Sequence, residues 1–135
     1  MIIGNHVSIQ AKELDTRAPI KIGNNVIIGS GVKIITCSHN INSPDWEHKS
    51  YGITIEDYVW IATDVLILPS CTKIEKGSVV AAGSVLSSNT SSMDVVSGNP
   101  SKLLKKRQQV HYNLCVEELR GIDLQLYIKA RRKKN

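Results

Sequence analysis

His39 stands two residues after Cys37 in the run Thr36-Cys37-Ser38-His39-Asn40, just before a polar stretch that extends to Gly52. An imidazole has a reference pKa of about 6.5, so its neutral form can accept a proton from a hydroxyl near neutral pH. His39 is therefore the candidate general base. Residues two apart on a strand share a face, which raises a nucleophilic reading for Cys37. A packing role for that thiol is the reading adopted. His6, His48 and His111 lack a comparable setting, although His48 lies within the polar stretch and can face a substrate.

Metal and disulfide chemistry find little support. The three cysteines, Cys37, Cys71 and Cys115, are odd in number and widely spaced, with no CxxC pair. His39 and His48 lie nine residues apart, with no closely spaced histidine pair to seed a zinc site. Charge is unevenly placed. Residues 1–99 carry seven Lys/Arg against nine Asp/Glu, whereas residues 100–135 carry ten against three. Lys102, Lys105, Lys106 and Arg107 form one basic group, and Arg131 to Lys134 form another. Such an end can attract nucleic acid, an anionic membrane or a phosphorylated small molecule. Nucleic acid is set aside, because no stacking aromatics sit among these cations.

The elements that hold His39 follow from an internal repeat. Ile22-Gly23-Asn24-Asn25-Val26-Ile27 is followed by Ile28-Gly29-Ser30-Gly31-Val32-Lys33 and then Ile34. The pattern resumes from Ile55, with aliphatic residues at Ile61 and Ile67, and again from Ile74, with Val80 and Leu86. Ile3 and Ile9 fit it as well. A period of six suits neither an amphipathic helix nor an ordinary alternating strand. It suits a short strand followed by a tight turn, with Asn and Gly tolerating the left-handed backbone. Three such units make one triangular coil of roughly 18 residues, stacked on the next by parallel strand pairing. Columns of Ile and Val fill a narrow prism with no room for large rings, in keeping with 4% aromatics and no Phe. The chain is long enough for one domain with a core. A β-sandwich with short strands would instead space its turns about 8–12 residues apart.

Breaks in the register mark irregular structure. Residues 40–52 read as a loop ejected from the prism. Lys73 is one residue too many between Thr72 and Ile74, which predicts a bulge at a corner. Residues 10–21 predict another irregular corner. Val95-Val96 reads as a last short strand, and Pro100 as the start of a helix from about Ser101. Cys115, Leu119, Ile122 and Leu126 continue at helical spacing, for core packing or a partner surface. The expected division is a prism over 1–100 and a basic helical extension over 101–135. No apolar run approaches the ~20 residues of a membrane span, and the N-terminus does not read as a signal peptide, so a cytoplasmic protein is expected.

These repeats carry further marks: Val59-Trp60-Ile61-Ala62-Thr63, Ile67-Leu68-Pro69, Val80-Ala81-Ala82-Gly83-Ser84-Val85 and Ser97-Gly98-Asn99-Pro100-Ser101-Lys102. With His39 ahead of the loop, the ordered set resembles the hexapeptide-repeat acyltransferases over residues 1 to about 107. The sugar O-acetyltransferases are the nearest in pattern: those acting on galactosides and maltose, and those of colanic acid, capsule and lipopolysaccharide synthesis. The resemblance implies an all-β fold, a left-handed parallel β-helix. It also implies a homotrimer with active sites in clefts between copies. Acetyl-coenzyme A is the implied co-substrate, with no metal. Direct transfer to a small-molecule or lipid-linked sugar acceptor is implied, with His39 as the catalytic base.

The same resemblance assigns further residues. The backbone N–H near Thr63 matches the oxyanion donor. Ala82 and Gly83 match positions along the pantetheine arm. Ser87 and Ser88 stand where the family often has Thr-Lys, a departure near the nucleotide end. Lys102 and Lys105 match basic positions facing the phosphates. Asp15 matches an aspartate that binds sugar hydroxyls, with Ser8 on the same prism edge and Asn40 beside the base as further acceptor contacts. Trp60 would face the cleft, or else pack between copies. Alternatives on the same prism are N-acetyl transfer to an amino sugar, serine acetylation, a γ-type carbonic anhydrase with interface zinc, and a non-enzymatic scaffold. Serine acetyltransferases usually carry an N-terminal helical domain that this sequence does not show.

Overall fold

A computed structural model describes residues 1–112 of the chain. The repeat wraps into coils of three short strands. The first coil holds β1 (Ile2–Ile3), β2 (Ser8–Ile9) and β3 (Glu13–Leu14). The second holds β4 (Ile20–Ile22), β5 (Ile27–Ile28) and β6 (Lys33–Ile34). A hairpin, β7 (Cys37–His39) and β8 (His48–Ser50), then leaves the prism. The third coil holds β9 (Ile53–Ile55), β10 (Trp60–Ile61) and β11 (Leu66–Ile67), and the fourth β12 (Lys73–Ile74), β13 (Val79–Val80) and β14 (Val85–Leu86). An incomplete last coil gives β15 (Asp94–Gly98), and β16 (Ser101–Lys106) returns antiparallel along its edge.

Parallel pairing sorts these strands into three faces. Face 1 runs β1-β4-β9-β12, face 2 runs β2-β5-β10-β13-β15 and ends on β16, and face 3 runs β3-β6-β11-β14. The register stacks like on like: Ile28, Ile61 and Val80 align on face 2, and Ile34, Ile67 and Leu86 on face 3. All six are at most 1% exposed. A second inward column lies two residues earlier in each strand: Val26, Val59 and Ser78 before face 2, and Val32, Val65 and Ser84 before face 3. Period-two alternation within each rung buries both positions and turns the residue between them outward. The second column becomes polar toward the C-terminal end. The Ser78 hydroxyl bonds to that of Thr90 at 2.7 Å, and Ser84 Oγ accepts the Gly98 N–H at 3.2 Å.

The corners explain the turn residues. At the first corner, entering face 2, His6, Asn25, Tyr58, Gly77 and Met93 all take positive φ and stack one above another. Their amides bond to the coil below, as in Tyr58 N–H to Asn24 O at 2.9 Å and Gly77 N–H to Asp57 O at 2.9 Å. At the second corner, entering face 3, Gly31, Asp64 and Gly83 do the same. Gly31 is needed twice over: its φ is 73°, and a Cβ there would collide with the Asp64 carboxylate. The third corner is longer and varies between coils. It holds residues 15–19, then the hairpin, then 68–72, where the extra residue ahead of Ile74 is absorbed. There Cys71 turns inward at 2% exposure, and Cys71 N–H bonds to Leu68 O at 3.0 Å. The irregular corner expected over 10–21 is thus confined to 15–19, since β3 lies within that range.

The expected helix from Ser101 is not formed. Residues 101–106 are a strand, because the free edge of β15 offers a row of backbone partners, from Gly98↔Ser101 to Asp94↔Lys106, with a register shift between Val95 and Val96. The division at residue 100 therefore does not separate two bodies over the described residues. Beyond β16 the chain turns down the first corner. Arg107 Nη1 donates to Tyr58 O at 2.9 Å and Gly77 O at 3.3 Å, and its Nη2 donates to His111 Nδ1 at 3.0 Å. His111 Nε2–H then donates to Asn25 O at 2.5 Å. The stripe of Cys115, Leu119, Ile122 and Leu126 lies outside the described residues. Among those described, no helix is long and apolar enough to cross a membrane.

Asp94 ends one inward column and is clasped by the Lys106 ammonium. Burial pushes its carboxyl up, but Lys106 and the Ser91 N–H outweigh this and hold it below its ordinary value. The folded state thus favours the carboxylate. Its stabilisation is complete above the unfolded carboxylate value of about 4 and disappears as pH falls through the lower folded value. Asp94→Asn is expected to flatten the acid limb of stability below about pH 4. Urea midpoints at stepped pH test this; an acid limb of unchanged slope would remove Asp94 as a contributor.

Candidate active site

The register break before β9 lifts His39 out of the prism. β7 and β8 pair antiparallel with His39 directly opposite His48, and the two rings meet edge to face with centroids 5.6 Å apart. Two histidines that look remote in sequence are thus cross-strand neighbours. Among the described residues, no group of three or more metal-ligating side chains forms. His39 Nδ1 lies 3.0 Å from the Trp46 carbonyl oxygen. A carbonyl only accepts, so Nδ1 carries the hydrogen in the neutral ring and Nε2 is left as the proton acceptor. The Trp46 ring stacks on His39 at 4.4 Å with 22° between planes.

Cys37 is 8% exposed and lies 3.6 Å from the Thr36 hydroxyl, as a packing residue would. Ser38 lies between Cys37 and His39 and so turns to the opposite side of β7. With Tyr51, Leu68, Pro69, Ser70 and Thr72 it lines a cavity of about 610 Å³ on that side. His39 is not among the lining residues of this hollow.

Thr63, Ala82 and Gly83 gather at the second corner. Thr63 and Ala82 each precede a left-handed residue, Asp64 and Gly83, one coil apart. Among the described residues, the Thr63 and Ala82 amides make no hydrogen bond, whereas Gly83 N–H is taken by Thr63 O at 2.9 Å. Open space faces Gly83, so its glycine serves the backbone angle (φ 71°) rather than close packing. The track continues upward to Gly98, Ser101 and β16, where Ser101 Oγ donates to Val85 O at 2.9 Å and Lys102 and Lys105 are exposed. Such a line of small residues and free amides ending in ammonium groups fits an extended amide-rich chain with terminal phosphates. Trp60 points outward from face 2, 44% exposed. Ser87 and Ser88 sit at the third corner beyond β14, where Ser87 O accepts the Ser70 hydroxyl at 2.6 Å.

The acceptor residues named from sequence fare differently. Asp15 adjoins the foot of β7, but both carboxylate oxygens already have partners. Arg17 Nε and Nη2 each donate at 2.8 Å, and the Thr36 N–H donates at 3.0 Å. The Arg17 guanidinium holds this carboxyl far below the ordinary range. Ser8 is corrected: it lies in β2 on face 2 and is fully buried, while Asp15 follows β3 at the third corner, so the two do not share an edge. Asn40 braces the loop, its Oδ1 accepting Asn42 N–H at 3.0 Å and its Nδ2 donating to Glu47 at 3.2 Å. Trp46 was missed in the sequence. A bulky aromatic inside an otherwise polar loop, seven residues after the base, was the available signal.

A three-sided prism of hexapeptide coils is the architecture of the hexapeptide-repeat acetyltransferases, a left-handed parallel β-helix. The chain is a relative of these proteins. It is 33% identical over 91 residues to a galactoside O-acetyltransferase of Lactococcus lactis, matching 64% of this chain and 43% of that protein. A hexapeptide-repeat acetyltransferase of Vibrio cholerae, solved with acetyl-coenzyme A, superposes with a TM-score of 0.73 at 34% identity, over 79% of this chain and 60% of that one. A maltose O-acetyltransferase of Clostridium difficile gives a TM-score of 0.71 at 27% identity, over 79% and 59%. No family model matches the chain. The chain spans about half the length of the curated relatives it matches.

Proposed function

We propose that the chain transfers an acetyl group from acetyl-coenzyme A to a hydroxyl of a sugar, or of a sugar-containing intermediate of surface polysaccharide synthesis, in the cytoplasm. The observation that carries the reading is the His39 hydrogen bond, which leaves Nε2 free to act as base. In this mechanism Nε2 takes the hydroxyl proton as the sugar oxygen attacks the thioester carbonyl. The new C–O bond forms, and the oxyanion receives the Thr63 N–H. Collapse breaks the C–S bond, and the proton passes from His39 to the departing thiolate. Direct transfer in a ternary complex needs no covalent enzyme intermediate.

Within one prism, His39 rises at the third corner while Thr63 and Ala82 lie at the second, with face 3 between them. A homotrimer that sets the second corner of one copy against the hairpin of the next would unite the two halves. Ala82, Gly83, Lys102 and Lys105 would then follow the coenzyme, with Ser87 and Ser88 near its nucleotide. Trp60 and Asn40 would border the acceptor, and Asp15 would hold Arg17 beside it.

Incubation with acetyl-coenzyme A and a panel of free glycosides and nucleotide sugars tests the proposal. Release of thiol together with acetylated carbohydrate is the expected result. Acetylation of amino sugars alone would move the chain to N-acetyl transfer, and no thiol release with any acceptor would remove the enzymatic reading. Lys102→Ala is expected to raise the KM for acetyl-coenzyme A several-fold at low salt, with the gap narrowing as salt rises. An unchanged KM would return Lys102 to a solvated role.

A further inference from the structure

The top of the prism carries two leucines for which the fold has no use. β16 follows β15 from Gly98↔Ser101 as far as Val96↔Leu103; the ladder then skips a residue and resumes at Val95↔Lys105. Leu104 is the residue left out, as in a β-bulge, and it is 65% exposed. Leu103 stands opposite Val96, which is 6% exposed and belongs to the core. Directly paired residues share a face of the sheet, so Leu103 lies on the core side. β16, however, lies past the last coil at the end of face 2, and Leu103 is left 59% exposed. Exposed apolar residues standing singly need no explanation, whereas two in succession on an edge strand do.

The charge around them has one sign. Residues 95–116 contain four Lys/Arg and no Asp/Glu. Lys106 is tied to Asp94 and to Ser92 O, and Arg107 to carbonyls of the first corner. Lys102 and Lys105, which flank the leucine pair, are exposed and, among the described residues, form no ion pair. The neighbouring turn over 87–92 is uncharged. Apolar groups rimmed by unpaired ammonium groups match a surface with an oily interior beneath a layer of phosphates. Lysine stems lie along the apolar layer while their charged ends stay with the phosphates.

We infer that the top of the prism, with Leu103 and Leu104 flanked by Lys102 and Lys105, docks on an anionic lipid bilayer. Two other occupants fit less well. A peptide adding as a further strand needs a regular edge, and the bulge at Leu104 breaks this one. The phosphates of a soluble nucleotide suit the lysines, as in the coenzyme track, but give two isobutyl groups nothing to enter. The inference does not depend on the acetyl-transfer reading. Where that reading holds, docking brings the prism to the surface at which a lipid-linked sugar is held.

Co-sedimentation of the full chain with vesicles tests this. Vesicles of equal parts phosphatidylglycerol and phosphatidylcholine are compared with phosphatidylcholine alone, at low and at high salt. The wild-type chain is expected to bind the anionic vesicles about tenfold more tightly than the neutral ones, and to lose most of that advantage as salt rises. Leu103→Gln/Leu104→Gln is expected to weaken binding to the anionic vesicles about tenfold, with circular dichroism, urea midpoint and oligomeric state unchanged. In Leu104→Trp, emission beyond that of Trp46 and Trp60 is expected to shift to the blue when anionic vesicles are added. Equal binding of the wild-type chain to both kinds of vesicle would overturn the inference. So would equal binding of the wild-type and double-glutamine chains to the anionic vesicles, or an unshifted Leu104→Trp emission. A double variant that dissociates into smaller species would assign the leucines to contact between copies instead. Polyglutamate that binds as tightly as the vesicles, with the same dependence on the leucines, would move the surface to an acidic protein partner.

Discussion

His39→Ala is expected to abolish acetyl transfer while leaving the prism intact. General base catalysis by a placed imidazole is worth about 10²- to 10⁴-fold in rate, and no second base stands in its place. His48 is the nearest imidazole, but it lies across the hairpin, exposed, with its ring edge to face rather than in the same position. Stability should hardly change. His39 is half-buried on a hairpin outside the core, and the substitution removes one hydrogen bond and two ring contacts. Turnover of the variant, its circular dichroism and its oligomeric state are measured together. A correctly folded variant with wild-type turnover would strike out the assigned base. An unfolded variant is distinguished at once by the spectrum, and His39→Gln then serves in its place.

The largest expected effect on stability comes from Ile61→Ala. Ile61 is fully buried in the third coil, with Ile28 stacked below it and Val80 above. Truncating a buried isoleucine costs about 2–5 kcal/mol, and the upper part of that range applies where the surroundings cannot close in. Here they cannot. The spacing of the coils is set by parallel strand hydrogen bonds, and the other two walls of the prism stand on ladders of their own. A shift of the denaturation midpoint equivalent to less than about 1 kcal/mol would show that this narrow core does relax around a void.

Legibility in the sequence was uneven, for physical reasons. The six-residue period exposed the faces because every coil repeats one inward requirement, met by Ile22, Ile55 and Ile74 or by Ile34, Ile67 and Leu86. The second column was not read out, because Val, Ser and Asp occupy it in turn and only the alternation within each rung unites them. The helix expected after Pro100 gives way to strand β16, because Ser101 to Lys106 has neither period and its conformation is set by the open edge of β15, a tertiary cause. His39 was legible from its place at a register break. The neighbours that orient it were not. Trp46 and His48 reach it only through the closure of a hairpin whose turn has no repeat. Asp15 was legible as a carboxylate near the site, but its commitment to Arg17 and Thr36 was not, since local pairing across a corner leaves no spacing signal.

The descent of residues 107–111 along the first corner alters how the stack can come apart. In a linear array each rung touches only its neighbours, so opening can start at a terminus and advance one rung at a time. Arg107 and His111 tie carbonyls of the second, third and fourth coils to a segment that itself continues from the topmost strand. Fraying of the upper end must drag that tie away from the lower rungs. The rungs from the second coil upward thereby share one fate, and their melting is driven toward a single all-or-none event.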